Sequence, residues 1–158
     1  INTTSHFWTI REFLPHMLEQ KDGHIVTIAS MAARAGVPMC TDYCASKFGA
    51  FGLAEALKAE LYLLGAQNIH NTTVCPVHVN TNMVTSLSSR LDYKNRFGGI
   101  LPIETVCDDI IDGILRNHQF VYCPSYMGAI ADIGQCMIPS KAVPMLFKFM
   151  DTGFFEKK

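Results

Sequence analysis

Apolar side chains recur at helical spacing in two long stretches of the chain. In residues 2–19 the apolar positions are Phe7, Ile10, Phe13, Leu14, Met17 and Leu18. This spacing predicts an amphipathic helix, which Pro15 is expected to kink or to end early. In residues 41–65 the apolar face consists of Leu53, Leu57, Leu61 and Leu64. A second stripe there holds small residues that let another backbone approach closely: Ala45, Gly49, Gly52, Ala56 and Ala59.

Short runs rich in β-branched residues lie between the helical stretches. They read HIVTIAS at 24–30, NIHNTTVCP at 68–76 and QFVYCP at 119–124, which is the length and composition of buried strands. Residues 101–117 carry a third helical pattern, with Pro102 near its first position. Strands that alternate with helices predict an α/β fold whose parallel sheet is covered on both faces.

The chain of 158 residues is suited to a single domain, and we expect residues 1–158 to form one. Residues 126–158 are expected to be an apolar tail, partly helical as far as Met150. The sequence opens without methionine and with its apolar period already running, so we expect it to be a piece of a longer chain. Sites in parallel sheets form beyond the carboxyl ends of strands, where Ser30 and Pro76–Thr81 fall.

Composition excludes several classes of function. The formal net charge is −1 and the basic residues are scattered, so we expect no nucleic-acid partner. The six cysteines lie at irregular spacings in apolar surroundings, which indicates reduced core thiols in a reducing compartment. They are Cys40, Cys44, Cys75, Cys107, Cys123 and Cys136. No metal site is predicted, because neither cysteines nor histidines have the spacing of a ligand set.

Tyr43 and Lys47 are the candidate chemical pair. They are four residues apart, so on a helix they lie side by side. A free tyrosine has a pKa of about 10, and an ammonium group one turn away stabilises the phenolate and lowers that pKa. The pair therefore suits general acid–base catalysis, with Ser30 able to donate a hydrogen bond to a substrate oxygen. Spacing alone favours a solvated surface pair, because Tyr-x-x-x-Lys is common on exposed helix faces.

The surroundings of these residues resemble the C-terminal half of the short-chain dehydrogenase/reductase family. The matching stretches are Ser30 at a strand end, YCASKFGAFGLAEALKAEL from Tyr43, and VCPVHVNTNM from Val74. The resemblance runs from Asn2 to about Met150. It implies the C-terminal portion of a Rossmann-type doubly wound fold, and hydride transfer between NAD or NADP and an alcohol or ketone.

The resemblance also assigns roles to four residues. Tyr43 would exchange the hydroxyl proton, and Ser30 would hold the reacting oxygen. Lys47 would lower the pKa of the tyrosine and bind the ribose hydroxyls of the nicotinamide. Asn2, twenty-eight residues before Ser30, falls where the family keeps its fourth catalytic residue, which helps to hold a proton-relay water near the lysine.

The segment Pro76–Thr81 corresponds to the family pattern Pro-Gly-x-Val-x-Thr and reads PVHVNT here. The resemblance implies contacts of Val79 and Thr81 with the nicotinamide carboxamide and the cofactor phosphates. Val77 replaces the glycine, and because a β-branched residue disfavours a positive φ angle, we expect the backbone to run differently. The implied cofactor-binding residues are Tyr43, Lys47, Pro76, Val77, Val79 and Thr81.

Within the family, the chain is most similar to the retinol dehydrogenases and the 17β-hydroxysteroid dehydrogenases of the endoplasmic reticulum and lipid droplets. This implies a lipophilic alcohol or ketone as substrate, selected by Met83–Leu101 and the tail, although apolar residues there would suit core packing equally. It also implies a homodimer through the first two helices. The implied location is the cytoplasmic face of those membranes, reached through a missing N-terminal segment or the apolar tail, or otherwise the cytoplasm.

The glycine-rich turn that faces the pyrophosphate in this family is absent from the sequence. A non-enzymatic function therefore stays open as the alternative. The chain could be a truncated, non-catalytic fragment that acts only as a dimerisation or interaction module. A sugar-nucleotide epimerase also uses Tyr-x-x-x-Lys, but it carries a larger C-terminal substrate domain than this tail can build.

Overall fold

Three parallel strands form the central sheet of the computed structural model, which describes residues 1–84, 99–137 and 145. The strands are Gly23–Ile28 (β1), Ile69–Pro76 (β2) and Phe120–Cys123 (β5), with β2 in the middle. Each neighbouring pair runs parallel and in unbroken register. The parallel α/β sheet predicted from the β-branched runs is therefore confirmed.

A second, two-stranded sheet was not predicted from the sequence. It pairs His78–Val79 (β3) with Ile100–Leu101 (β4) in parallel. Strands of two residues are too short to give a recognisable alternation of side chains. The pairing is extended by Asn80, whose backbone N–H donates to the carbonyl of Leu101 at 2.9 Å.

The helices follow the predicted order. They are Thr4–Gln20 (α1), Thr41–Leu63 (α2), Ile103–Leu115 (α3) and Tyr126–Met137 (α4). The early end expected at Pro15 is wrong, because α1 continues through it. Proline removes one backbone hydrogen-bond donor from the helix. Apolar contacts hold α1 on both sides of Pro15, because Ile10 and Leu14 before it and Met17 and Leu18 after it pack against the same core cluster.

Alternate residues of the strands face opposite helical layers. On one face, Val74 and Val121 pack against Val106 of α3. On the other face, Ile69 packs against Leu57 and Leu61 of α2 and against α1. The two-sided covering of the sheet follows from this alternation.

Helix α2 contacts the sheet through a face that the sequence identified only in part. Its buried residues are Cys44, Ala50, Ala54, Leu57 and Leu61. Leu64 was assigned to this face, but the helix ends at Leu63 and Leu64 is 66% exposed. The small-residue stripe is exposed apart from Gly49, which is half-buried.

Two further expectations need adjustment. Cys44, Cys75 and Cys123 are buried thiols, but Cys107 is exposed on α3, so the core assignment is wrong for that residue. Within the described residues, no helix is long and apolar enough to cross a membrane. Most of the predicted substrate segment Met83–Leu101, and the tail after Met137 apart from Met145, lie outside the described residues.

Candidate active site

Tyr43 and Lys47 occupy the first two turns of α2, as the helical spacing predicted. The Lys47 Nζ atom lies 5.8 Å from the centroid of the Tyr43 ring and donates a hydrogen bond of 3.0 Å to the carbonyl oxygen of Ile28. Burial lowers the pKa of Lys47, with a smaller opposing effect from the Cys75 thiol. Partial removal from water strengthens the interaction of this ammonium group with its neighbours.

Ser30 lies at the same end of the sheet, two residues beyond the last residue of β1. Its side chain is almost fully buried, with the residue 8% exposed. The hydroxyl oxygen accepts a hydrogen bond from the Ala32 backbone N–H at 3.1 Å and lies 3.5 Å from the carbonyl oxygen of Pro76. Ser30 and Lys47 are therefore both placed at the carboxyl ends of β1 and β2, where parallel sheets form their sites.

Asn2 reaches this region through Ser46 rather than through the lysine. Its Nδ2 atom donates to the Ser46 hydroxyl at 3.2 Å, and that hydroxyl donates to the Tyr43 carbonyl at 2.7 Å. The amide of Asn2 is thus linked to the helical turn that carries Tyr43 and Lys47. Its role beside a relay water stays a prediction.

Thr3 is a residue that sequence reasoning missed. Its hydroxyl donates to the Ser46 carbonyl at 2.8 Å, and a Cβ atom added to Gly49 would lie 2.8 Å from the Thr3 Cγ2 atom. The start of α1 therefore packs directly on α2 beside the Tyr43–Lys47 pair. The sequence offered one signal for this contact. The small residue at Gly49 predicted that another segment approaches α2 closely, but it did not indicate which segment.

The segment Pro76–Thr81 continues from β2 along the same edge. The Val77 N–H donates to the Cys123 carbonyl at 2.9 Å, and Val77 has no positive φ angle, as expected of a β-branched residue. Burial lowers the pKa of His78 within this segment. Val79 lies in β3, and the Thr81 N–H donates to its carbonyl at 2.7 Å.

These residues fit one end of a dinucleotide better than the other. The ammonium of Lys47, the hydroxyl of Ser30 and the backbone of Pro76–Thr81 gather at one sheet edge, which suits a nicotinamide and its ribose. A pyrophosphate needs a glycine-rich turn between a strand and a helix. In residues 1–84 and 99–137 the glycines with positive φ are Gly65, after α2, and Gly99, before β4, and neither lies in such a turn.

The doubly wound parallel α/β arrangement with its site at the carboxyl edge is a Rossmann-type fold. The family profile described as short chain dehydrogenase matches residues 1–92. The chain belongs to this family.

Similar proteins and structures agree with this assignment. The chain is 36% identical to 17-beta-hydroxysteroid dehydrogenase 13 of Homo sapiens, over 98% of this chain and 49% of that protein. It is 32% identical to estradiol 17-beta-dehydrogenase 11 of Rattus norvegicus, with the same coverage. A short chain dehydrogenase/reductase from Burkholderia phymatum, solved in complex with NAD, has a TM-score of 0.70 at 20% identity, covering 92% of this chain and 57% of that one. The chain spans about half the length of these curated relatives.

Proposed function

We propose that the chain carries the catalytic half of an NAD(P)-dependent oxidoreductase that acts on lipophilic alcohols or ketones. The observation that carries the proposal is the position of Lys47. Its ammonium group lies 5.8 Å from the Tyr43 ring centroid and donates to the Ile28 carbonyl at 3.0 Å, two residues before Ser30. A phenol, an ammonium and a hydroxyl at the carboxyl edge of a parallel sheet make a proton-transfer site.

The proposed chemistry assigns one task to each side chain. A bound nicotinamide cofactor would supply hydride acceptance for the oxidation of an alcohol and hydride donation for the reduction of a ketone. Tyr43 accepts the hydroxyl proton at its Oη atom in the first direction and donates it in the second. Lys47 stabilises the phenolate form electrostatically. Ser30 donates a hydrogen bond to the reacting oxygen, and Asn2 supports the same helical turn through Ser46.

The same edge would hold the nicotinamide end of the cofactor. Lys47 is proposed to bind the ribose hydroxyls, next to Tyr43. Val79 and Thr81 are proposed to contact the carboxamide and a phosphate, with Pro76 and Val77 forming the wall beside them. The hydrogen bond from the Val77 N–H to the Cys123 carbonyl at 2.9 Å supports a fixed backbone at that wall.

The proposed substrate is steroid-like or retinoid. The names of the two relatives, a 17-beta-hydroxysteroid and an estradiol dehydrogenase, support the steroid class. Two exposed apolar side chains near the site support a lipophilic ligand. Met39 lies in the loop between Ser30 and α2, and Met83 follows Pro76–Thr81, both largely exposed.

Titration of NADH and NADPH into the purified 158-residue chain, followed by nicotinamide fluorescence, tests this function. Saturable binding that is lost in Lys47→Met would support it. Lys58→Met is the matched control, because Lys58 lies on the same helix but pairs with Glu55 at 3.5 Å and lies over Phe120. Turnover of estradiol and retinol is then measured with the preferred cofactor. Failure of a folded chain to bind either cofactor would contradict the proposal for this chain.

A dimerisation or interaction module is the second candidate. Its support is the exposed surface of the first two helices, which includes the small-residue stripe of α2 and large apolar side chains. The largest of these are Phe7, Trp8 and Phe13 on α1 and Phe48 and Tyr62 on α2. We propose a homodimer through these helices, which sedimentation equilibrium of the chain and of Trp8→Ala would test. A monomer at all concentrations would count against it.

The proposed location is the cytoplasmic face of the endoplasmic reticulum or of lipid droplets. One feature of the described residues supports contact with an apolar surface. Helix α4 exposes four apolar side chains along one stripe, namely Tyr126, Ile130, Ile133 and Met137. Flotation of the chain with phospholipid vesicles tests this, and a chain that remains at the bottom of the gradient would contradict it.

A further inference from the structure

The turn that carries Ser30 is short, and backbone N–H groups of the turn and of Arg34 close it. Ser30 is followed by a single 3-10 turn, Met31–Ala33. The Ser30 oxygen atoms accept from the backbone N–H groups of Ala32, at 3.1 Å, and Ala33, at 2.9 Å. The Ser30 hydroxyl reaches β2 only at 3.5 Å, through the Pro76 carbonyl, which is at the weak limit of a hydrogen bond. The direction of this hydroxyl therefore depends on what holds the turn.

Arg34, the residue that follows the turn, reaches two other elements. Its Nη2 atom lies 2.5 Å from the Asp132 Oδ1 atom on α4. Its guanidinium lies 4.7 Å from the centroid of the Phe51 ring on α2. The Arg34 side chain is 13% exposed and that of Asp132 is 60% exposed, so water screens the pair from the side of the carboxylate. A planar guanidinium that both stacks and pairs has little freedom to move.

Asp132 is itself held from a second side. The Tyr122 hydroxyl lies 3.4 Å from the Asp132 Oδ1 atom, and burial raises the pKa of Tyr122 to about 12, so the phenol keeps its proton. Helix α4 also packs tightly on β5, because a Cβ atom added to Gly128 would lie 2.5 Å from the Tyr122 ring. Helix α4, which carries Asp132, is therefore held against β5 through Tyr122.

We propose that Arg34 is a positioning residue, which holds the Ser30 turn in place by joining it to Asp132 on α4 and to Phe51 on α2. The catalytic consequence rests on the role of Ser30 proposed above, whereas the positioning itself does not. The connection runs from α4, through the guanidinium, to the backbone of the turn. Since α2 also carries Tyr43, the same guanidinium ties the serine to the helix of the tyrosine.

Amide hydrogen exchange of the ¹⁵N-labelled 158-residue chain, read by NMR, tests the proposal directly. In Arg34→Ala and in Asp132→Asn, the amides of Ala32 and Ala33 should shift and exchange about two- to fivefold faster, the factor expected for the loss of an ion pair whose carboxylate is exposed. Arg34→Lys should recover part of the protection. The amides of Val74 and Val121, which lie in the sheet core, should keep their rates, so that a global loss of stability is distinguished from a local one.

Arg116→Ala is the matched control. Arg116, which follows the last residue of α3, pairs with Asp112 at 2.7 Å. Both side chains are largely exposed, so the loss of Arg116 should leave Ala32 and Ala33 unchanged. If Arg34→Ala does not fold, Asp132→Asn still removes the pair while keeping the stack on Phe51. Unchanged exchange at the turn in whichever of the two variants folds would overturn the proposal. Because this readout needs no cofactor, it stands apart from the test of the oxidoreductase function. In a chain that turns over substrate, Arg34→Ala should lower kcat more than it changes the cofactor KM.

Discussion

The two ends of the central sheet both carry polar side chains, but they use them differently. At the amino end of β1, the His24 Nε2 atom lies 2.8 Å from the Oγ1 atom of Thr72 in the middle of β2. Thr72 donates to the carbonyl of His118, which precedes β5, at 2.6 Å. Since the Thr72 proton is committed to that carbonyl, His24 must donate from Nε2. Thr72 is fully buried. The buried hydroxyl of Thr72 therefore both accepts and donates a short hydrogen bond, as buried polar groups require.

At the carboxyl end of the sheet, the hydrogen-bond donors of Ser30 and Lys47 are only partly used within the described residues. The Ser30 hydroxyl lies 3.5 Å from the Pro76 carbonyl. Lys47 has three donors, and the hydrogen bond found for it among the described residues is the single one to Ile28. An edge with incompletely used donors can bind a ligand, whereas an edge whose donors are satisfied internally stabilises the fold. The difference separates a candidate site from a structural polar cluster, although both contain titratable groups.

Tyr43→Phe should have the largest effect, and only at the carboxyl end. Removing the phenolic hydroxyl removes the proposed proton donor and acceptor, so kcat/KM for estradiol or retinol should fall by about 10²–10⁴-fold. The free energy of unfolding in urea should change little. Tyr62→Phe is the control, because Tyr62 lies on the same helix and is 70% exposed. A Tyr43→Phe chain with wild-type turnover would remove the tyrosine from the mechanism.

Much of this site was predictable because its determinants are local. The Tyr43–Lys47 spacing sets their neighbourhood through helix geometry alone, and Ser30 follows a β-branched run that marks its strand. The contacts that support them were not predictable in the same way. Asn2 and Thr3 meet Ser46 across more than forty residues of sequence, and such contacts depend on how α1 and α2 pack.

The fold also divides into elements that the local sequence predicts and elements that depend on long-range contacts. The three strands of the central sheet have enough β-branched residues to be recognised, whereas β3 and β4 have two residues each and exist through their mutual pairing. Pro15 was overestimated as a helix breaker, because tertiary packing of α1 outweighs one lost backbone bond. The Arg34–Asp132 pair spans 98 positions, and nothing in the local sequence of either residue names the other.

Thr72→Val should have an intermediate effect, confined to the amino end. Valine has the shape of threonine but leaves the His24 N–H and the His118 carbonyl without their partner, so the free energy of unfolding should fall by about 1–3 kcal/mol. Urea unfolding followed by circular dichroism measures this. Thr73→Val is the matched control, since Thr73 is also buried and, as the next residue of the strand, faces the other side of the sheet. If Thr72→Val and Thr73→Val lower the free energy of unfolding equally, the hydrogen bonds that join His24, Thr72 and His118 add no stability of their own.

The smallest effect expected is a pH dependence of stability that His24→Gln should weaken. Burial, and to a lesser degree the nearby His70, lowers the pKa of His24 below its usual 6.5. The unfolded chain therefore binds more protons than the folded chain as pH falls below about 7, so stability is retained above pH 6.5 and lost as pH falls through the folded pKa. Glutamine keeps an N–H donor for Thr72 but does not titrate. The urea midpoint of His24→Gln should consequently fall less between pH 7 and pH 5 than that of the wild type. His16→Gln, an exposed site on α1, should follow the wild type. If His24→Gln and the wild type lose stability in parallel, the acid sensitivity belongs to other groups, and the amino end of the sheet is insensitive to protonation.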